Sequence, residues 1–250
     1  LSFFYGGMVR AKNVISTMLQ SFIAMGLVSL LWVVVGFSLA FGDSIGPEGF
    51  GLLGDPRTFF MFRGVGAETH AALSPTIPFV LFAVFQMKFA IITPALVTGS
   101  FAERVRFGSY LVFMTLFVLV VYAPLAHWTW HPNGFLRQWG VLDFAGGTVV
   151  HMSAGFAALA GALVLGPRRE QGAHTPANIP YVLLGTGMLW FGWFGFNAGS
   201  ALAANGTAAM AFLTTNTASA AAAVAWLCFD ALRGRKPSAL GACIGAVVGL

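Results

Sequence analysis

The chain has 250 residues, of which 58% are hydrophobic and only 8% charged, with a formal net charge of +5. So much apolar content with so few charges excludes a soluble globular domain and points to a chain that crosses a membrane several times. The basic excess does not mark a nucleic-acid binder, because Lys and Arg come in pairs between apolar runs without interleaved aromatic platforms; they read as topology signals. Cys228 and Cys243 both sit within apolar runs and suggest neither a disulfide framework nor a metal site.

Leu1 to Tyr5 reads as the inner end of a helix, followed by Gly6-Gly7 and the basic pair Arg10 and Lys12. Asn13 to Gly42 carries no charge and is the first complete span. Asp43 to Ser74, with Asp43, Glu48, Asp55, Glu68 and several Gly and Pro residues, reads as a connecting loop. Three spans follow, at Pro75 to Gly99, Phe107 to His127 and Gly147 to Gly166, separated by Phe-Ala-Glu-Arg-Val-Arg-Phe and by a Trp-rich loop over 128–142. Gln171 to Phe229 is uncharged and too long for one helix, so it must turn back near Ala204-Asn205-Gly206. Arg233, Arg235 and Lys236 precede a last apolar helix whose Gly241, Gly245 and Gly249 allow close packing. A start at Leu1 and an end at Leu250 inside an apolar run lead us to expect a fragment: one membrane transporter domain over 1–250, incomplete at both ends.

Alternating the spans puts Arg10, Lys12, Arg104, Arg106, Arg168, Arg169, Arg233, Arg235 and Lys236 on one side, against Glu103, Glu170 and Asp230. The positive-inside rule makes that side cytoplasmic. The other side holds Arg57, Arg63 and Arg137 against Asp43, Glu48, Asp55, Glu68 and Asp143, an acidic excess that favours cations at the entrance.

The chemistry centres on Asp143 to His151, Asp-Phe-Ala-Gly-Gly-Thr-Val-Val-His, which opens an otherwise uncharged span. An ionisable group inside the hydrocarbon is costly unless it faces protein or water, so His151 reads as a functional residue, or else as a buried imidazole bonded to a neighbour. Asp143 reads as a helix N-cap beside the Gly pair or as a site acid. Phe85 and Phe89, four apart, share a helix face, as do Phe196 and Ser200; this is an aromatic constriction or ordinary packing. Lys88, next to Phe89, points about a hundred degrees away from it. Trp128, Trp130 and Trp139 form either an interfacial belt or a cation–π platform. Asp143, His151 and Ser200 also spell a hydrolytic trio. A rise of about 12 Å over eight helical residues separates Asp143 from His151 unless the Gly pair reverses the chain, and no Gly-x-Ser-x-Gly elbow surrounds Ser200.

Phe-Tyr-Gly-Gly-Met-Val-Arg-Ala-Lys-Asn-Val from Phe4, Phe85-Gln86 through Phe89, Ala102-Glu103-Arg104 with Arg106-Phe107, Asp143 through His151, and Trp193 through Ser200 together resemble the ammonium transporter (Amt/Mep/Rh) family, its Amt branch especially. The likeness runs over nearly the whole chain. It implies an all-α, polytopic membrane bundle of eleven helices in two inverted repeats, a homotrimer with one hydrophobic pore per subunit, in the cell membrane. This chain would run from the end of the first helix to the start of the eighth. The resemblance further implies ammonium or ammonia as substrate, no cofactor, and a cytoplasmic regulator of the PII type as partner. By similarity, Trp130 and Ser200 look like the outer ammonium site, with Phe85 lining it and Asp143 the acid that stabilises it. Phe89 and Phe196 look like the stacked gate, Trp193 belongs with the pore residues, and His151 looks like the first of two paired pore histidines, the second lying on a later helix.

A dry, phenylalanine-lined pore penalises any ion far more than neutral ammonia, so selectivity by this route requires deprotonation. Two alternatives belong to other classes: an ammonium receptor of the same fold, and an intramembrane hydrolase. The topology is directly testable in the full-length protein. Cysteines introduced beside Arg104, Arg168 and Arg235 should label only from the cytoplasm, and one beside Asp55 only from outside; labelling of both groups from one side contradicts the span assignment.

Overall fold

The structure, a computed structural model, describes residues 1–47, 49–168 and 175–250. Glu48, Arg169 and Glu170, counted above among the topology charges, and Gln171, where the long uncharged stretch was taken to begin, lie outside the described residues. Among the described residues, six helices are long and apolar enough to cross a membrane: α2 (Ala11–Phe41), α3 (Phe79–Phe101), α4 (Phe107–Trp130), α6 (Gly147–Leu165), α7 (Ile179–Gly199) and α8 (Gly206–Leu232). Shorter helices are α1 (Ser2–Met8), α5 (Phe135–Gln138) and α9 (Ala239–Gly249). The chain turns back between Gly199 and Gly206, as the Ala-Asn-Gly signal predicts, and Asn205 caps α8 by accepting from the Ala208 N–H at 3.0 Å.

Three sequence expectations are corrected. The region expected to be a plain loop contains two small antiparallel pairings, β1 (Ser44–Ile45) with β2 (Leu53–Gly54) and β3 (Thr69–His70) with β4 (Ser74–Pro78). Span α3 accordingly begins at Phe79 rather than Pro75, because Pro75 and Pro78 hold Ser74–Pro78 extended. Trp128 and Trp130, assigned to a loop, form the last turn of α4, which closes as the His131 N–H donates to the His127 carbonyl at 3.2 Å.

The chain divides into two compact units, Leu1–Leu19 with Arg168–Leu250, and Gln20–Pro167. In the first, α1 lies along α7. The Asn178 N–H donates to the Gly7 carbonyl at 3.0 Å, and Phe4, Val182 and Cys243 make a small buried core. On α9, Gly245 lies so close to α8 that an added Cβ would meet the Ala222 carbonyl oxygen at 2.7 Å. That contact confirms the packing role expected of the Gly241, Gly245 and Gly249 stripe. The Ser219 hydroxyl adds a bond to the Ala246 carbonyl at 2.9 Å.

In the second unit, α3 is the most buried of the six spans. Trp32 of α2 is fully buried, donates its indole N–H to the Ala83 carbonyl at 3.0 Å and packs edge-on against Tyr122 of α4 at 6.0 Å. One ring thus ties three helices by contact and hydrogen bonding, the forces left when lipid is as apolar as the helices themselves. At the other end of α3, the Arg104 guanidinium donates to the Ser100 and Gly166 carbonyls at 2.8 and 2.6 Å, and the Ser100 hydroxyl donates to the Ala158 carbonyl at 2.7 Å. These bonds fix the far end of α6 against α3. Ile15, Leu30, Val120, Leu163, Phe191 and Leu213 on these spans are exposed.

Candidate functional site

The site is built around the turn that precedes α6. One Asp143 carboxylate oxygen accepts from the Gly146 N–H at 2.5 Å, and the other accepts from the Thr148 and Val149 N–H groups at 2.9 and 3.0 Å. Of the two sequence readings, the structure bears out the cap: the acid satisfies helix-start amides and lies where the positive end of the helix favours its charge. The turn needs Gly146, whose φ is +99° and where a Cβ would meet Val150 Cγ2 at 2.8 Å. Capped in this way, α6 opens with a wide π turn, Gly147–Met152. His151 sits on that turn, its backbone N–H donating to the Gly146 carbonyl at 3.0 Å.

Three aromatic rings adjoin the capped turn. Phe85 and Phe89 meet edge to face with centroids 4.9 Å apart, and Phe89, 1% exposed, meets Trp130 edge to face at 5.6 Å. The Trp130 indole donates to the Asp143 carbonyl at 3.0 Å, so the backbone of the capping residue orients the ring while its side chain starts the helix. The unit Gln20–Pro167 therefore brings together Phe85, Phe89, Trp130 and Asp143. Lys88 is exposed. The three tryptophans separate: Trp128 donates to the Leu52 carbonyl at 2.6 Å, and Trp139, 67% exposed, packs on Phe135 at 5.0 Å.

The unit Leu1–Leu19 with Arg168–Leu250 holds the remaining candidates near the end of α7. Trp193 is buried and stacks on Phe196 with centroids 4.6 Å apart and planes 21° apart. The Ser200 hydroxyl donates to the Phe196 carbonyl at 2.8 Å, which commits its hydrogen and leaves the oxygen as an acceptor for an N–H donor.

Sequence reasoning missed a polar cluster at the end of α4. His127 and His131 stack with centroids 4.4 Å apart, and both lie within hydrogen-bond distance of the Ser44 hydroxyl, at 2.8 and 3.2 Å. Two histidines four apart in Ala-His-Trp-Thr-Trp-His were the available signal, hidden by the assignment of this stretch to a loop.

The Ammonium Transporter Family model matches residues 1–250. The chain belongs to the ammonium transporter family. Over 254 residues it is 48% identical to the ammonium transporter of Bacillus subtilis, a match that covers all of this chain and 60% of the relative. Among solved structures it is similar to Mep2 of Saccharomyces cerevisiae, with a TM-score of 0.88 and 36% identity over 98% of this chain and 55% of that one. It is also similar to a sensor Amt protein, with a TM-score of 0.81 and 32% identity over 99% of this chain and 67% of that one. The chain thus spans little more than half the length of the Bacillus subtilis and yeast transporters. Family membership establishes a multi-pass membrane protein of a transporter family, not of an enzyme family.

For a member of the ammonium transporter family built in this way, the capped turn carries a stability prediction. In the full-length protein, Asp143→Ala strands three amides at the start of the helix and should cost about 3 kcal/mol or more, while Asp143→Asn, which keeps an acceptor, should cost less. Thermal unfolding in detergent checks the order; equal stability of Asp143→Ala and wild type contradicts the capping role.

Proposed function

We propose that the full-length protein moves ammonium across the membrane by capturing the cation at its outer face, releasing a proton and passing neutral ammonia through a hydrophobic pore. The observation that carries this reading is the grouping of Phe85, Phe89 and Trp130 on the Asp143-capped turn, one helical turn ahead of His151. The Trp130 face offers a cation–π contact, and the Ser200 oxygen accepts from an N–H, which potassium cannot supply. Phe85 lines this outer site, and the negative charge of Asp143 favours a cation near it. The family resemblance makes Phe89 and Phe196 the gate residues, apolar rings that solvate an ion too poorly to let it pass, and Trp193 stacks on Phe196. His151 accepts a hydrogen bond from ammonia or relays the proton, as the first of two pore histidines.

The same reading makes residues 1–250 part of one membrane transporter domain, places the protein in the cell membrane as a homotrimer, and gives it a PII-type regulator at its cytoplasmic face. A second reading, an ammonium receptor of the same fold, is supported by the likeness to a sensor Amt protein. A hydrolytic trio finds no support: the carboxylate of Asp143 is engaged by backbone amides and the hydroxyl of Ser200 by a backbone carbonyl, where a triad needs them on the imidazole and the substrate.

The test is ammonium and potassium flux in liposomes holding matched amounts of full-length wild type, Trp130→Leu and His151→Ala. Trp130→Leu should lose discrimination worth about 0.5–2 kcal/mol, the cation–π contribution. His151→Ala should cut flux or alter ion selectivity without loss of assembly. Unchanged selectivity and flux in both folded variants would sink the site assignment.

A further inference from the structure

The cluster at the end of α4 fixes its own protonation pattern. His127 is fully buried, and its Nδ1 lies 3.0 Å from the Ala40 carbonyl oxygen, which can only accept, so Nδ1 carries the hydrogen. Its Nε2 is then an acceptor, and the Ser44 hydroxyl at 2.8 Å donates to it. His131, also buried, accepts at Nδ1 from the Asn133 N–H at 3.1 Å, so its hydrogen is on Nε2. The Ser44 hydroxyl, 3.2 Å from that same Nδ1, lies between two acceptor nitrogens. Burial, and then His127, Arg137 and His70, push the His131 pKa down to about 4, so the neutral ring the arrangement requires is the form present at neutral pH.

We propose that Ser44, His127 and His131 form a clasp that positions Trp130 for cation capture. Trp130 lies between the two histidines on the turn closed by the His131 N–H and His127 carbonyl bond. The clasp holds one side of this turn to the end of α2 through the Ala40 carbonyl and to β1 through Ser44, and Trp128 holds the turn to Leu52, the residue before β2. With its backbone fixed in this way, Trp130 reaches both the Asp143 carbonyl and the edge of Phe89. Ser44, His127 and His131 are positioning residues: they act through Trp130.

This inference rests on the transport reading above, and its test separates the two. Saturation curves for ammonium uptake are measured on reconstituted full-length wild type, Ser44→Ala and Ser44→Thr, with thermal unfolding of each. Ser44→Ala should raise KM roughly fivefold, the effect of one hydrogen bond, with kcat little changed, and Ser44→Thr, which keeps the hydroxyl, should return KM toward wild type. KM unchanged in a folded Ser44→Ala overturns the clasp, as does an equal rise in the Ala and Thr variants in step with lost stability. If Ser44→Ala does not assemble, His131→Gln replaces it, with the same KM rise expected and an unchanged KM overturning the proposal. A wild type without saturable uptake overturns the transport reading itself, whereas a transporting wild type with an indifferent Ser44→Ala overturns the clasp alone.

Discussion

One carboxylate bonded to three backbone amides sets the start of α6. At the head of a spanning helix there is little water to satisfy free N–H groups, and each one left unpaired costs about 1–3 kcal/mol. Asp143 removes that cost for Gly146, Thr148 and Val149 at once, and the positive φ of Gly146 lets the chain fold tightly enough to bring all three within reach. Two consequences follow from the same atoms. The π turn that begins at Gly147 presents His151, and the Asp143 carbonyl receives the indole of Trp130. The cap, the backbone of His151 and the anchor of the Trp130 indole therefore meet at one turn.

The chemistry at this turn suits a cation that must lose its charge to go further. Under the proposed transport reading, aromatic faces and a nearby carboxylate would stabilise a positive ion, whereas the ring of Phe89, 1% exposed and packed between Phe85 and Trp130, offers an ion nothing to replace its water. Ammonium differs from potassium in having N–H donors and a proton to give up, so hydrogen-bond acceptors can distinguish the two where size alone does not.

The spans were legible because their signal is one-dimensional: apolar runs of about twenty residues bounded by Gly, Pro and paired basic residues need no tertiary information. The Phe85 and Phe89 pairing followed from helical spacing, and the Gly241, Gly245 and Gly249 stripe from small-residue periodicity. Spacing alone left Asp143 open between cap and acid, because the choice depends on how Gly146 turns the chain. The last turn of α4 was misread because Trp128 to His131 looks like interfacial loop composition. Its helical state comes from long-range partners, the Leu52 and Ala40 carbonyls and Ser44, which lie more than seventy residues earlier. The hairpins between α2 and α3 escaped notice for a related reason, since strands of two to five residues leave no periodicity to read.

The central claim is that the full-length protein passes ammonia derived from ammonium and refuses ions of similar size. Its most direct test is a flux measurement on purified full-length wild type in sealed liposomes, with ammonium and potassium gradients imposed in turn. The account predicts saturable ammonium flux and no potassium flux above that of protein-free liposomes. Potassium flux comparable to ammonium flux, or no ammonium flux from a well-assembled protein, would contradict it.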